Sequence, residues 1–387
     1  MSEWHLWPWP FFEAAHIELA ERAAAWKSPV DHEVSEAEFP TACREIARSL
    51  GDAGLLAPAV PSRDAEGRWN IDVRSLCIVR EAVAYESALA DAVLAMQGIG
   101  TGAIWMHGSE EHKARYLDRV RRGEAIAAFA LTEPTTGSDV ASITTTARRE
   151  GDHYILDGEK TFISNAGIAD HYIVVARTGE APGSRGLTAF IVDADNPGVE
   201  YGAPIELMAP HPLAPMSFRN CRVPGTDVIG EAGRGFGVAM ATFDVFRTSV
   251  GAASVGMGRR AFDETLAHVR TRKLFGGAMA QIAGVQTKIA DMSIDLETAA
   301  LAVYRAAWVK DTAGGRGTRE ASMAKLMGSE AAGRVIDSAV QLFGGLGVTR
   351  GSIVEQLYRE VRPTRIYEGA SEVQKLVIGR SLVEGKG

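Results

Sequence analysis

The sequence predicts an α+β protein with an N-terminal helical domain over residues 1–126, a middle antiparallel β-domain over 127–235 and a C-terminal four-helix bundle over 236–387. Three observations lead there. Apolar residues at three- and four-residue spacing dominate up to about residue 125 and return from Phe236 onward. Between Phe129 and Pro224 the texture changes to short β-rich runs separated by turn residues. A chain of 387 residues is also too long for one typical core, so two or three packed units are expected.

In order along the chain, Glu13 to Trp26, Phe39 to Leu50, Val73 to Ala90 and Glu110 to Arg121 read as helices. Ser109 stands as the N-cap of the last of these, with Glu110 and Glu111 in its first turn. Residues 153–157 and 161–164 read as short strands flanking a turn at Asp157-Gly158. Ile173 to Ala176, Leu187 to Val192 and Met216 to Val223 follow as strands, the last stopping at Pro224. In the C-terminal part, Val285, Ile289, Met292, Leu296, Ala299 and Val303 repeat at four and three residues, forming one stripe on a long helix. Ala321 to Phe343 forms another, and Gly314 to Gly317 connects the two.

Composition removes several functional classes. Net charge is −8 and no long basic block occurs, which argues against a nucleic-acid partner. Cys43, Cys77 and Cys221 are odd in number and lack CxxC spacing, so neither a disulfide framework nor a metal site is expected and a reducing, cytoplasmic setting fits. No membrane span and no secretory signal are expected. At the N-terminus, Trp4, Trp7, Trp9, Phe11 and Phe12 alternate with Pro8 and Pro10, suggesting an aromatic strap packed on its own or a neighbouring subunit.

The stretch Leu131-Thr132-Glu133-Pro134-Thr135-Thr136-Gly137-Ser138-Asp139 is rich in hydroxyls and small residues and falls where helix gives way to strand. Such a loop can bring N–H and O–H groups to a pyrophosphate or a ring edge, and it can equally be a solvated turn. Together with Gly158-Glu159-Lys160-Thr161-Phe162-Ile163-Ser164-Asn165 it resembles the middle domain of the acyl-CoA dehydrogenase family. Arg272-Lys273-Leu274-Phe275-Gly276, Gln341-Leu342-Phe343-Gly344-Gly345-Leu346-Gly347 and Ile366-Tyr367-Glu368-Gly369-Ala370-Ser371-Glu372 resemble further motifs of the same family, in its order and spacing. The resemblance covers roughly residues 35–382.

It implies FAD as cofactor. Phe129, Leu131, Thr132, Gly137 and Ser138 match the segment along the flavin, with Ser138 also near the pantetheine arm of the substrate. Phe162, Ile163 and Ser164 match the aromatic wall and the hydroxyl near flavin N5. Many relatives have Trp where Phe162 stands. Arg272, Phe275, Gln286, Gln341, Gly344 and Gly345 match positions that reach the FAD of a neighbouring subunit, so a homotetramer (a dimer of dimers) is implied. Ala370 and Glu372 match flavin-side positions, Ala370 replacing a common threonine. Asp244, Arg247, Gly369 and Arg380 match contacts to the CoA thioester, although Asp244 and Arg247, three residues apart, could equally form a structural ion pair.

Glu368 matches the family's catalytic carboxylate. The α-proton of a thioester is weakly acidic, so the chemistry needs a base on one face of the substrate and a hydride acceptor on the other. The resemblance implies that Glu368 takes the α-proton while the β-hydride passes to flavin N5, giving a 2-enoyl-CoA. An electron-transfer flavoprotein then takes the electrons. Some relatives carry the base on an earlier helix, immediately before the arginine matching Arg247. Phe246 stands there and cannot serve. An acyl-CoA oxidase, a dehydrogenase of carrier-protein-bound acyl groups and a non-catalytic flavin- or CoA-binding partner protein remain open.

Two stretches depart from the family. Met208-Ala209-Pro210-His211-Pro212-Leu213-Ala214-Pro215 replaces Gly, Arg and Ser residues, and its His211 reads as an exposed loop histidine. Gly98, Gly100 and Gly102, on the helix expected to cap the acyl pocket, read as space for a bulky, branched or cyclic acyl group, while Ala90 argues against a dicarboxylic one.

Overall fold

The computed structural model describes residues 9–31, 34–313 and 315–385. Trp4, Trp7, Pro8 and Gly314 lie outside them. The described chain falls into two compact units: one from Met1–Lys27, Asp72–Asp91 and Arg247–Gly387, the other from Ser28–Ile71 and Ala92–Phe246.

The second unit is built on an eight-stranded sheet. Its strands are β1 (Ala127–Ala130), β2 (Thr146–Glu150), β3 (His153–Ser164), β4 (His171–Arg177), β5 (Leu187–Asp193), β6 (Val199–Tyr201), β7 (Leu213–Pro224) and β8 (Val228–Ile229). The order is β6-β7-β3-β2-β4-β5-β8, with β1 paired to β4. Most neighbours are antiparallel, as expected. β1 runs parallel to β4, from Ala127 opposite His171 to Ala130 opposite Val174. The expected turn at Asp157-Gly158 is instead a bulge inside one twelve-residue strand, β3. Pairing with β7 continues on both sides of it, and Asp157 Oδ1 accepts from the N–H of the left-handed Asn220 at 2.7 Å.

Helices α1 (Ala14–Ala25), α2 (Phe39–Asp52), α3 (Val73–Glu86), α4 (Ala88–His107) and α5 (Glu110–Arg121) precede the sheet. The helix predicted from Val73 to Ala90 is broken at Ser87, which is extended (φ −156°), and its Oγ accepts from Ala90 N at 3.2 Å to start α4. Ser109 caps α5 as predicted: its Oγ accepts from His112 N, and His112 Nδ1 accepts from Ser109 N, both at 3.2 Å. Among the described helices α4 is long and apolar enough to cross a membrane, but 83% of that stretch is buried inside the protein, as for a core helix. In the second unit Gln97 ties α4 to the sheet, donating to Ala125 O at 2.7 Å and accepting from Ala127 N at 2.8 Å.

The glycines of α4 do not leave room for an acyl group. A Cβ at Gly98 would lie 2.3 Å from the Phe246 ring, at Gly100 2.6 Å from Ala127 Cβ, and at Gly102 2.7 Å from Thr242 Cγ2. Close packing fills the space they leave.

The first unit is helical. It holds the C-terminal part of α6 (Gly235–Thr271), then α7 (Ala283–Thr312), α8 (Thr318–Phe343), α9 (Ile353–Val361) and α10 (Ser371–Val383). α8 packs against α7, α9 and α10, and α7 against α3. The predicted α7 stripe is the buried one: Val285, Met292, Leu296, Ala299 and Val303 are all at most 7% exposed, and Ile289 packs beside them. α6 and α8 touch backbone to backbone at Gly251 and Gly328, where a Cβ on Gly328 would lie 2.6 Å from Gly251 Cα. Gly328→Val should therefore lower stability by about 1–3 kcal/mol through overpacking, measured by denaturant unfolding.

The described part of the aromatic strap packs on its own unit. Phe12 meets Tyr304 edge-on at 4.9 Å, Phe11 lies 6.1 Å from Trp308, and Arg74 Nη1 donates to Phe11 O at 2.9 Å.

Candidate active site

Each unit carries its own share of the predicted site residues. In the second unit, β1 ends at Ala130 and the chain enters the loop 131–139. Leu131 is buried and Phe129 packs on Phe243 at 5.5 Å. A buried ion pair anchors the loop: Lys160 Nζ on β3 donates to Glu133 Oε1 at 2.9 Å and to Leu131 O at 3.0 Å. Glu133 also accepts from Thr144 N, Thr144 Oγ1 and Thr145 N at 2.6, 2.7 and 2.9 Å. Both side chains of the pair are almost wholly buried. Burial works against Glu133, yet Lys160 and the two threonines outweigh it and hold the carboxyl below its usual range. This anchor was missed from the sequence, because both residues sit in polar stretches where a solvated charge looks the same.

Beyond the anchor, Gly137 and Ser138 are exposed, and nothing lies within 4 Å of where a Gly137 Cβ would stand. Thr132 accepts at its carbonyl from Thr161 N at 2.9 Å, which brings the loop beside Phe162. Phe162 occupies a register shift between β3 and β7, at φ +54° and 58% exposed, while Ile163 is buried. Thr136 Oγ1 is buried without a hydrogen-bond partner. Hydroxyls, an open glycine and a bare aromatic face side by side suit the polar edge and flat ring of a flavin.

His211 is not the exposed histidine expected. It is half-buried, and its Nε2 lies 2.8 Å from Ser164 Oγ. The register explains this: Leu213 pairs with Ser164, and Asn165 N donates to Pro212 O at 3.0 Å, so the proline-stiffened approach to β7 runs alongside Ser164. Burial pushes the imidazole down to about 4, so it is neutral at physiological pH.

In the first unit, Glu368 and Gly369 lie just before α10 and are consecutive left-handed residues, at φ +51° and +92°. Left-handed backbone at a glutamate is sterically unfavourable and persists only where its surroundings enforce it. One carboxylate oxygen, Oε2, is buried and makes no hydrogen bond. Burial pushes the Glu368 carboxyl above its usual range. Arg80, Lys325 and Arg247 pull it down, and Asp91 pushes it further up. Arg80 is itself buried, giving Nε and Nη2 to Asp91 at 2.8 and 2.7 Å and Nη1 to Ser249 at 3.0 Å. Ala370 is the N-cap of α10, Glu372 and Arg380 are exposed on that helix, and on α6 Arg247 is buried, as is Asp244, which belongs to the second unit.

The remaining predicted residues collect at one end of the same unit. β9 (Lys273–Leu274) and β10 (Gly277–Ala278) form a hairpin whose two turn residues, Phe275 and Gly276, have φ +51° and +84°. Phe275 is fully exposed at its tip. Gln286 reaches back to Ala280 O at 3.0 Å, and His268 stacks on Phe343 at 4.2 Å, placing the exposed Gln341, Gly344 and Gly345 near the exposed Arg272. Among the described residues, five non-glycine residues have positive φ, and the three that are not asparagine are Phe162, Phe275 and Glu368, all predicted site residues. Among the described residues no metal-binding cluster occurs, and the three cysteines are free and buried.

Family models for the acyl-CoA dehydrogenase N-terminal, middle and C-terminal domains match residues 13–124, 128–221 and 233–383. The chain belongs to the acyl-CoA dehydrogenase family. It is 38% identical to the 3-(aryl)acrylate reductase of Clostridium sporogenes over 92% of this chain and 94% of that one. It is 36% identical to the cyclohexane-1-carbonyl-CoA dehydrogenase of Geobacter metallireducens, over 88% and 89%. Among solved structures, butyryl-CoA dehydrogenase from Megasphaera elsdenii aligns with a TM-score of 0.79 and 31% identity, over 92% of this chain and all of that one. Acyl-CoA dehydrogenases are FAD-dependent oxidoreductases of CH–CH bonds, and membership assigns this chain to FAD-dependent dehydrogenation of an acyl-CoA.

Proposed function

We propose that Glu368 is the base that removes the α-proton of the acyl-CoA thioester. The state of this one carboxyl carries the reading: left-handed backbone, an unbonded buried oxygen and a proton affinity raised by burial. An unbonded oxygen is ready to accept a proton without first breaking a hydrogen bond. Raised affinity makes the carboxylate a stronger base, while Arg80, Lys325 and Arg247 work against that rise. FAD, when bound, supplies the acceptor for the β-hydride. Thr132, Gly137, Ser138, Phe162 and Ser164 would hold the flavin. Asp244, Arg247, Gly369 and Arg380 would meet the CoA thioester.

On this reading residues 1–126, 127–235 and 236–387 act as the three domains. The exposed group of Arg272, Phe275, Gln286, Gln341 and Gly344-Gly345 meets a second copy in a homotetramer. An electron-transfer flavoprotein takes the electrons, and the free thiols suit a cytoplasmic location. The FAD-loaded protein should bleach anaerobically with at least one acyl-CoA from a panel that includes butyryl-, cyclohexane-1-carbonyl- and 3-arylpropanoyl-CoA. Unchanged flavin absorbance across the panel would remove the proposed activity.

A further inference from the structure

A lysine stands on the buried face of α8 among residues that are otherwise small. Ala321, Ala324, Gly328 and Ala332 line that face, and Lys325 lies in the same stripe with no exposed surface. An unpaired buried ammonium is strongly disfavoured, so its partners define its purpose. Its Nζ donates to Gly369 O at 2.8 Å. The same carbonyl accepts from Gln374 Nε2 at 2.9 Å, and Gln374 Nε2 also lies 3.2 Å from Glu368 O. One turn along α8, Glu330 Oε1 accepts from Ser371 Oγ at 2.6 Å, and Glu330 Oε2 pairs with Arg365 at 2.9 Å. Side chains of α8 and α10 therefore grip the Glu368–Ser371 turn at both ends. The backbone contact of Gly251 with Gly328 fixes α8 beside α6 one turn from Lys325.

We propose that Lys325 is a positioning residue for Glu368: its buried ammonium holds the left-handed turn by the Gly369 carbonyl and places a cation near the carboxylate. This rests on Glu368 being the base. The charged and titratable groups acting on Glu368 are Arg80 from α3, Asp91 from α4, Arg247 from α6 and Lys325 from α8. Those acting on Lys325 are Glu368, Arg247, Glu330 and Glu372. Burial pushes the Lys325 ammonium down to about 8, with Glu368 the largest influence restoring it, so it is still predominantly charged at neutral pH. Gln374 grips the same carbonyl without a charge, which lets the two roles of Lys325 be separated.

The test compares steady-state pH profiles of the FAD-loaded wild type, Lys325→Met, Lys325→Gln and Glu368→Gln, with flavin content and thermal melts alongside. Lys325→Met should lower kcat by about 100-fold through misplacement of the base. Its KM for acyl-CoA should change far less, and the acidic limb of kcat should move to higher pH because a cation beside the carboxylate is gone. Lys325→Gln, which keeps a donor, should recover part of kcat but retain the shifted limb, and it serves equally if Lys325→Met does not fold. A folded, flavin-loaded Lys325→Gln with a wild-type limb and wild-type kcat would overturn the positioning role. If Glu368→Gln kept wild-type turnover, the base assignment itself would fall, and the two failures are thereby distinct.

Discussion

Glu368→Gln should lower turnover by about 100- to 10,000-fold, the range a positioned general base contributes, while leaving flavin content and melting temperature close to wild type. Glutamine keeps the shape and the backbone grip of Lys325 and Gln374, so the left-handed turn should survive. What is lost is an oxygen able to take a proton. The pH profile adds a second signature. Because burial raises the Glu368 carboxyl, wild-type kcat should fall on acidification at a pH above the ordinary carboxylate range, and that limb should be missing from the residual activity of the variant. Stopped-flow reduction of the flavin at several pH values measures both. Flavin reduction at the wild-type rate in Glu368→Gln would assign the proton transfer elsewhere.

Lys160→Met should be the most damaging substitution in the second unit. It leaves Glu133 buried without its cation, and breaking such a pair costs about 3–5 kcal/mol. The loss is specific to the loop 131–139, because the same ammonium also holds Leu131 O. The purified variant should therefore be depleted of FAD as well as less stable. The sign of the pH dependence separates this from general damage. In the wild type the Glu133 carboxyl is held low, so the pair's contribution is complete at neutral pH and is lost as pH falls from the ordinary glutamate value through the depressed one. In the variant, burial without a partner raises that carboxyl, so acidification from neutral should stabilise the variant relative to wild type. Melting temperatures at neutral pH and near pH 5 decide the matter, and a parallel fall in both proteins would contradict it.

Much of the architecture was legible because it depends on local periodicity. The α7 stripe from Val285 to Val303, the Ser109 cap and the strands around Ile173 and Leu187 follow from the order of apolar and polar residues alone. The features that escaped depend on residues distant in sequence. Gly98, Gly100 and Gly102 look like room until Phe246, Ala127 and Thr242 are brought against them. His211 looks exposed until strand register sets it beside Ser164. Asp157-Gly158 resembles a hairpin turn because the competing pairing with β7 lies some sixty residues away. For the site, the motif residues with unusual backbone were found through resemblance. Lys325 left a readable trace, a lysine at a position on α8 whose stripe neighbours are alanine and glycine, and that spacing was overlooked.

The tip of the β9–β10 hairpin has a consequence for how this chain is tuned. A two-residue connection with both φ values positive suits Asn-Gly, whereas Phe275 occupies the first of the two positions with its whole ring in water. An isolated polypeptide gains nothing from that choice: it carries local strain and uncovered aromatic area at once. In the proposed homotetramer that ring would be covered, and the cost carried by residue 275 in the lone subunit would be recovered there.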